Sequence, residues 1–323
     1  MLPTTFHTKI YKYKRNMKKS KIFMAFAKGT ESTEGVSIDR YTGVAPVTIV
    51  GFNPTKEELE KLYNTTLENA PEYVGEMESN GNKVPYARVT FLVKPDPEKT
   101  GMDISPISMA LFIRKEYKFN SDGTKVRVID EYGNSGWATK EQCQAHAQLM
   151  SKAGKPLKIS PNYRPAYVGE IELTEFIKAF LNIPDAFEYV NDTWQLKKDA
   201  ELGIARFEHI DNLFKGDFSE VTEAIAYQPD NKVKVLFGVR KNDEGKMYQA
   251  FYKEMFLKNS VTDYSRLDKD VQERKNAGAY PTTDFEVSDF KVYNVAATNL
   301  NEAPAADPFA PAAAPANPWF PNA

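Results

Sequence analysis

The stretch SMALFIRKEYKFNSDGTKVRVIDEYG, residues 108–133, has two runs of alternating side chains on either side of an Asn-Ser-Asp-Gly turn. Alternation around such a turn predicts a β-hairpin. Because successive side chains of a strand point to opposite faces, one face of this hairpin is apolar. The other face carries like charges side by side, from Arg114, Lys118, Lys125 and Arg127.

Two pairing registers are open for this hairpin. With a two-residue turn, Phe119 lies opposite Val126 and Lys118 lies opposite Arg127. With a four-residue loop, Lys118 lies opposite Lys125 instead. Both registers keep the same faces, because the parity of the pairing is unchanged. Like charges directly opposite each other cost on the order of a few tenths of a kcal/mol, and a bound polyanion would turn that repulsion into attraction.

Basic and aromatic side chains recur together on other predicted strands. VPYARVTFLVKP, residues 84–95, alternates as a strand, and NKVKVLFGVRKNDEGKMYQAFYKEMFLK, residues 231–258, predicts a second hairpin. Cations follow phosphates, and rings stack on unpaired bases at about 1–3 kcal/mol each. The pattern favours single-stranded nucleic acid, although polar outer faces are also ordinary in antiparallel sheets. The candidate nucleic-acid-binding residues are Tyr86, Arg88, Lys94, Phe112, Arg114, Lys118, Lys125, Arg127, Trp137, Lys234, Arg240, Tyr248 and Tyr252.

Charge is distributed unevenly along the 323 residues, of which 41% are hydrophobic and 27% charged, as in globular proteins. Residues 1–23 contain seven basic residues and no acid. From Met24 onward, the chain has 35 basic and 44 acidic residues, a net charge of −9. The first segment is either a basic arm for an anionic partner or a leader upstream of a true start at Met24. It lacks the apolar core of a secretory signal, and we expect no membrane association because no apolar run approaches ~18 residues.

Enzyme signatures are missing from the sequence. It contains no phosphate-binding loop, no dinucleotide fingerprint and no zinc-ligand spacing. Cys143 and His146 stand three positions apart on a predicted helix, without a third group to orient them. We therefore expect no catalytic activity, no cofactor and no metal. As the single cysteine, Cys143 excludes an intrachain disulfide and favours an intracellular protein.

The order of predicted elements indicates an α+β fold. Strands precede and follow a helical middle, which predicts an antiparallel sheet or barrel of the oligonucleotide-binding type with a helical insertion. The predicted helices cover 53–63, with Asn53 as N-cap, 137–154, 170–181, two segments around Gly216, and the middle of 260–280; strands are predicted at 45–53 and 284–295. The predicted segments are 1–40 (basic leader and flexible arm), 41–136 (β-rich core), 137–228 (mainly helical insertion), 229–295 (second hairpin and closing strand) and 296–323 (tail).

The tail is rich in alanine and contains six prolines between residues 296 and 323. Proline prevents regular helices and ladders, so we expect this tail to be disordered. Aromatic residues in such a segment are typical of a docking peptide, although a plain linker is the alternative. The candidate partner-binding residues are Phe309, Trp319 and Phe320.

Four segments carry a resemblance to a known family: YTGVAPVTIVGFNPTKEELEKLY, YRPAYVGEIELTEFIKAFLNIP, QPDNKVKVLFGV and LKNSVTDYSRLDKDVQERKNAGAY. They resemble a protein of crAss-like bacteriophages that infect gut Bacteroidales, over roughly residues 36–295. The resemblance implies a single-stranded DNA-binding protein that coats and protects DNA during phage replication in the host cytoplasm. It also implies a tail that recruits replication proteins such as a polymerase or helicase. A structural or assembly protein of the virion is the alternative.

Overall fold

The architecture is α+β and mostly antiparallel, with a large sheet that curls into a half-barrel and few helices. The computed structural model describes residues 39–79, 81–198, 206–243 and 245–293. The strands are β1 (Tyr41–Phe52), β2 (Val74–Ser79), β3 (Asn82–Pro95), β4 (Ile107–Tyr117), β5 (Val126–Asp130), β6 (Ser135–Ala138), β7 (Tyr163–Pro165), β8 (Tyr167–Val168), β9 (Phe187–Val190), β10 (Thr193–Leu196), β11 (Val233–Lys241), β12 (Met247–Phe251), β13 (Leu257–Lys258), β14 (Thr283–Phe285) and β15 (Lys291–Val292).

Ten of these strands form the large sheet, in the order β12-β11-β1-β3-β4-β8, with β2, β13, β14 and β15 added beside it. A three-stranded sheet has the order β6-β5-β7, and β9 pairs with β10 alone. The helices are α1 (Lys56–Tyr63), α2 (Pro97–Thr100), α3 (Lys140–Ala145), α4 (Glu170–Phe180), α5 (Ser219–Tyr227) and α6 (Ser265–Asn276), with a 3₁₀ helix at Ile210–Lys215.

The main core lies on one face of the large sheet, and it follows from the alternation along the strands. On β3, Val89 and Phe91 are fully buried and lie opposite Leu111 and Met109 of β4. Helix α4 covers this face, and the Phe91 and Phe176 ring centroids are 4.5 Å apart. The prediction of an apolar inner face on β3 and on this part of β4 is therefore confirmed.

Helices also cover parts of the opposite face. Leu267 and Val271 of α6 pack against Val44 of β1 and Leu236 of β11, and Leu62 of α1 is buried as well. Burial of these apolar side chains stabilises the helices on the sheet. The outer face of the large sheet is therefore only partly exposed, and only its exposed parts are accessible to a ligand.

The predicted hairpin at 108–133 forms only at its tip. Phe119 bridges Val126, and the Arg127 N–H donates to the Lys118 carbonyl at 2.8 Å, which is the first of the two registers. Beyond the tip, β4 joins the large sheet and β5 joins the three-stranded one. A strand has only two edges, and β3 and β8 occupy both edges of β4. Tyr117 and Phe119 belong to the apolar face of the predicted hairpin but are exposed, and the pairing of β4 with β8 shifts register between Arg114 and Tyr117, which interrupts the alternation there.

Two helix predictions need correction. The N-cap of α1 is Thr55, whose hydroxyl accepts from the Glu58 N–H while the Glu58 carboxylate accepts from the Thr55 N–H. This capping box satisfies two backbone donors at once, while the Asn53 side chain instead accepts from the Thr90 N–H. The helix predicted at 137–154 is only α3, because Thr139 caps its start and His146 ends it in a left-handed conformation.

Other local predictions are confirmed by the observed elements. Helix α4, the two helical segments around Gly216, the β11–β12 hairpin and α6 lie where they were predicted. The strand predicted at 284–295 is instead the two short strands β14 and β15. Residues 137–228 hold the end of β6 and strands β7 to β10 as well as helices, and α4 packs into the main core.

The basic leader and the tail with Phe309, Trp319 and Phe320 lie outside the described residues. Within the described ranges, no helix is long and apolar enough to span a membrane.

One ion pair joins the end of β3 to the start of β11 and predicts a pH dependence. Asp96 is buried, and its carboxylate accepts from the Lys232 ammonium at 2.6 Å and from the Glu98 N–H at 3.1 Å. The hydrogen bond from Lys232 lowers the pKa of Asp96 below its ordinary value of 3.8. Because the folded state holds the lower pKa, the stabilisation is present above the unfolded pKa and is lost as the pH falls through the folded one.

We expect Asp96→Asn to lower the free energy of unfolding by about 1–3 kcal/mol at neutral pH. The difference from the wild type shrinks as the pH falls from 3.8 through the lowered pKa of the folded state, because Asp96 is protonated in both states only below that lower pKa. Urea unfolding across this pH range measures it, with the exposed Asp230→Asn as the control. A stability difference between the wild type and Asp96→Asn that does not change with pH would contradict the stabilising role of the ionised Asp96 carboxylate.

Candidate nucleic-acid interface

Four of the predicted binding residues meet on the outer face of β3 and β4. Tyr86 lies directly opposite Arg114, and Arg88 lies opposite Phe112. The Tyr86 and Phe112 ring centroids are 6.0 Å apart, and the Arg88 guanidinium lies 5.8 Å from the centroid of the Phe112 ring. Phe112 is 43% exposed, which is high for a large apolar side chain in a strand. We call these four residues the outer-face square.

One carboxylate accompanies the two guanidinium groups of the square. Arg114 Nε lies 2.9 Å from Glu116 Oε1, and Ser79 donates to the other oxygen of Glu116. The Nε of Arg88 is buried and has no hydrogen-bond partner among the described residues. The square therefore has a positive balance and an exposed ring, the combination that attracts a phosphate next to an unpaired base.

A cleft of about 260 Å³ lies where the two ends of the curled sheet approach each other. One wall is residues 167–169, at the β8 end of the sheet, and the other is Lys253 and Glu254, which follow β12 at the opposite end. We call this space the seam cleft. The remaining lining residues are Lys118, Arg127, Trp137, Ile171, Glu172, Glu175 and Arg274.

Three predicted binding residues belong to the seam cleft. Arg127 of β5 lies opposite Trp137 of β6, with its guanidinium 5.2 Å from the ring centroid. The Nη2 atom of its guanidinium also donates a hydrogen bond to Ser135 Oγ at 2.8 Å. Burial lowers the pKa of Arg127, and the charge of Glu172 opposes that effect. Lys118, which lies at the tip of the 108–133 hairpin, lines the cleft together with Arg127 and Trp137.

The opposite wall contains cations in two different states. Arg274 is held by Glu254 at 3.1 Å and by Asp270 at 3.1 Å. Lys253 forms no ion pair or hydrogen bond with any residue in the described part of the chain. Burial lowers the pKa of Lys253, and Glu172 partly opposes this. Lys253 is thus the cation on this wall that is available to an anionic ligand.

Two predicted binding lysines are engaged elsewhere on the sheet. Lys94 forms an ion pair with Asp103 at 2.8 Å. Lys234 donates to the Val261 carbonyl and lies 5.3 Å from the centroid of the Tyr264 ring. The structure brings neither of them to the outer-face square or to the seam cleft.

The remaining predicted residues are dispersed. Arg240 lies opposite Tyr248, 5.7 Å from the centroid of its ring, at the β11–β12 hairpin. Lys125 is exposed at the tip of the first hairpin. Tyr252 is fully buried in the cluster under α6, and its hydroxyl donates to Asp270. The prediction that Tyr252 stacks on a base is therefore wrong, because alternation places this ring in a core that the sequence did not reveal.

Sequence reasoning missed the acidic half of the seam cleft and its lysine. Glu172 lies on α4, Lys253 and Glu254 follow β12, and Arg274 lies on α6. No spacing in the sequence connects these segments, because only the curling of the sheet brings its two ends together. The one available signal was Glu172 on the polar side of α4, the side that also carries Glu175.

Comparison with protein-family models, with curated proteins and with solved structures finds no match to this chain. Among the residues that the structure describes, no group of three or more His, Cys, Asp or Glu side chains could hold a metal ion. The assignment of function therefore rests on the geometry and charge of the surface itself.

Proposed function

We propose that this protein binds single-stranded DNA and does so without catalysing a reaction. The observation that carries the proposal is the outer-face square, in which an exposed Phe112 ring lies beneath the Arg88 guanidinium and two positions from Arg114 on the same face of β4. A ring in this setting stacks on an unpaired base, and the guanidinium groups of Arg88 and Arg114 contact the adjacent phosphates. In this proposal the curled sheet is a variant of the oligonucleotide-binding barrel.

The seam cleft supplies a second group of contacts. Arg127 and Lys253 offer positive charge, and Trp137 offers an aromatic ring. The backbone of β8 links the two places, since Arg114 pairs with Val168 and Val168 lines the cleft. We place one strand of DNA along this route. The same proposal gives the protein a role in phage replication in the host cytoplasm, with its tail recruiting replication partners.

Salt should weaken this binding strongly. Each phosphate neutralised on a single strand contributes about −0.7 to the slope of log K against log salt. From Met24 onward the chain has a net charge of −9, so within this part the attraction for DNA depends on these few local cations.

The experiment is a fluorescence anisotropy titration of labelled oligo(dT) at two salt concentrations. We expect Phe112→Ala to weaken binding by about 1–3 kcal/mol through loss of one stacked base. Arg114→Glu should weaken binding and also reduce the salt slope, because one phosphate contact is replaced by repulsion. The matched controls are Tyr227→Ala and Arg266→Glu, at exposed positions outside the square and the cleft.

Absence of binding by the wild type at low salt refutes the proposal. Equal losses in the square variants and in their controls refute the assignment to the square. Detection of the protein as a component of purified virions would support the structural alternative instead.

A further inference from the structure

The seam cleft is lined by a carboxylate, Glu172, and an ammonium group, Lys253, that form no ion pair with each other. Glu172 acts electrostatically on both Arg127 and Lys253. Among the described residues, neither Glu172 nor Lys253 forms a salt bridge. Two opposite charges that share a cleft but do not touch leave room for a group that accepts hydrogen bonds at one end and donates them at the other.

The remaining charges of the cleft do not compete for such a group. Glu254 is held by Arg274 at 3.1 Å and accepts from the Tyr280 hydroxyl at 3.1 Å. Glu175 lies 3.9 Å from Lys178 on the same helix. Glu172 is therefore the carboxylate of the cleft that is left to accept a hydrogen bond from a ligand.

A nucleotide with an amino-bearing base satisfies both ends of this arrangement. Its phosphate accepts hydrogen bonds from the cations, and its ring offers a face for Trp137. Carboxylates accept from the N4 amino group of cytosine, whereas thymine presents the O4 acceptor at the same position. Proteins that take a base out of a stack read it through such hydrogen bonds to its Watson–Crick edge. The volume of about 260 Å³ suits one base rather than a stack of several.

We propose that the seam cleft holds one nucleotide of the bound strand and selects cytosine over thymine through the carboxylate of Glu172. Arg127 and Lys253 contact its phosphate, and Trp137 packs against the base. This inference rests on the proposed binding of single-stranded DNA and adds a base preference to it. The outer-face square contributes affinity that is the same for every base, because stacking does not distinguish bases by their hydrogen-bonding edges.

The test compares oligo(dC) and oligo(dT) of equal length with the full chain, in a slightly alkaline buffer in which cytosine is neutral. We expect the wild type to bind oligo(dC) roughly tenfold more tightly than oligo(dT), the effect of one good base contact. Glu172→Gln should reduce this preference to about twofold or less, because an amide can both accept from cytosine and donate to thymine. Glu223→Gln, at an exposed position on α5, is the matched control and should keep the preference.

Lys253→Met separates the phosphate contact from the base contact. It should weaken the binding of both homopolymers by the same factor, because a phosphate contact does not depend on the base. Equal affinity of the wild type for the two homopolymers overturns the inference and leaves the proposed function standing. A preference that survives Glu172→Gln also overturns it. If neither homopolymer binds, the proposed function itself is refuted, and Phe112→Ala then has no affinity to reduce.

Discussion

Gly169→Ala is expected to lower the free energy of unfolding by about 3–5 kcal/mol. Gly169 has a φ of +86°, in the left-handed region that L-residues avoid. A Cβ atom there would lie 1.9 Å from the backbone oxygen of Phe112 and 3.1 Å from Cα of Ile113. These backbone atoms cannot move easily, because β4 is paired with β3 from Ile107 to Arg114 along one edge and with Val168 at Arg114 on the other.

Gly216→Ala is the matched control for this prediction. Gly216 has nearly the same φ, +82°, and a Cβ atom there would meet nothing within 4 Å. It should show only the cost of the left-handed conformation, about 1–2 kcal/mol. Urea unfolding followed by circular dichroism measures both variants. Equal destabilisation of the two would contradict the close approach of Gly169 to β4.

Arg164→Met is expected to destabilise the fold by about 3–5 kcal/mol, because it leaves a buried carboxylate without its counter-charge. Glu170, at the start of α4, is fully buried. Its two oxygens accept from the two terminal nitrogens of Arg164 at 2.5 and 3.1 Å, and one of them also accepts from the Tyr167 N–H at 2.9 Å. Arg164 further donates to the Phe207 carbonyl at 3.1 Å, which ties a distant segment to the same point.

The double variant Arg164→Met/Glu170→Gln distinguishes a lost charge pair from lost packing. Replacing both charges removes the unpaired carboxylate, and the amide oxygen can still accept from the Tyr167 N–H. We expect the double variant to be more stable than Arg164→Met alone, as is found when both members of a buried pair are replaced. Arg266→Met, at an exposed position on α6, serves as the control and should stay near the wild type. Additive losses in the double variant would show that the two side chains act independently.

Both predictions concern the same wall of the seam cleft. Gly169 allows β8 to approach β4, and the Arg164–Glu170 pair fixes the turn that leads from β7 into α4. Glu172 lies within the first turn of that helix. The position of the proposed base-reading carboxylate therefore depends on the backbone conformation at Gly169 and on a buried ion pair, the kind of supporting structure that a binding site of defined geometry requires.

Local patterns predicted the individual elements well. The alternation of Val89, Phe91, Met109 and Leu111 predicted the inner face of the sheet, and these side chains are buried. Helix α4 and the two helical segments around Gly216 were predicted for the same reason: the responsible residues are close together in sequence. Each half of the outer-face square followed from this parity, because Tyr86 with Arg88 and Phe112 with Arg114 lie two positions apart on each strand, but the pairing of β3 with β4 that joins the halves was not predicted.

Strand pairing was predicted less well. The turn at residues 120–123 was interpreted as joining two strands of one sheet, but β4 and β5 pair with different partners. Backbone hydrogen bonds are nearly the same for any pair of strands, so a turn alone does not fix which strands continue side by side. The fit of side chains on β4 with β3 decides it, and that fit depends on the whole core. Tyr252 was misplaced for a similar reason, since the cluster under α6 is assembled from distant segments.

The sequence by itself determined which side chains of a strand share a face, where the main helices lie, and that cations and aromatic rings accompany one another on the outer face. These properties depend on neighbours a few positions away. Only the tertiary structure decided that the large sheet curls, that its two ends meet, and that Arg127, Glu172 and Lys253 face one cleft. The curvature arises from the twist and packing of the whole sheet against its helices, and no short stretch of sequence contains that information.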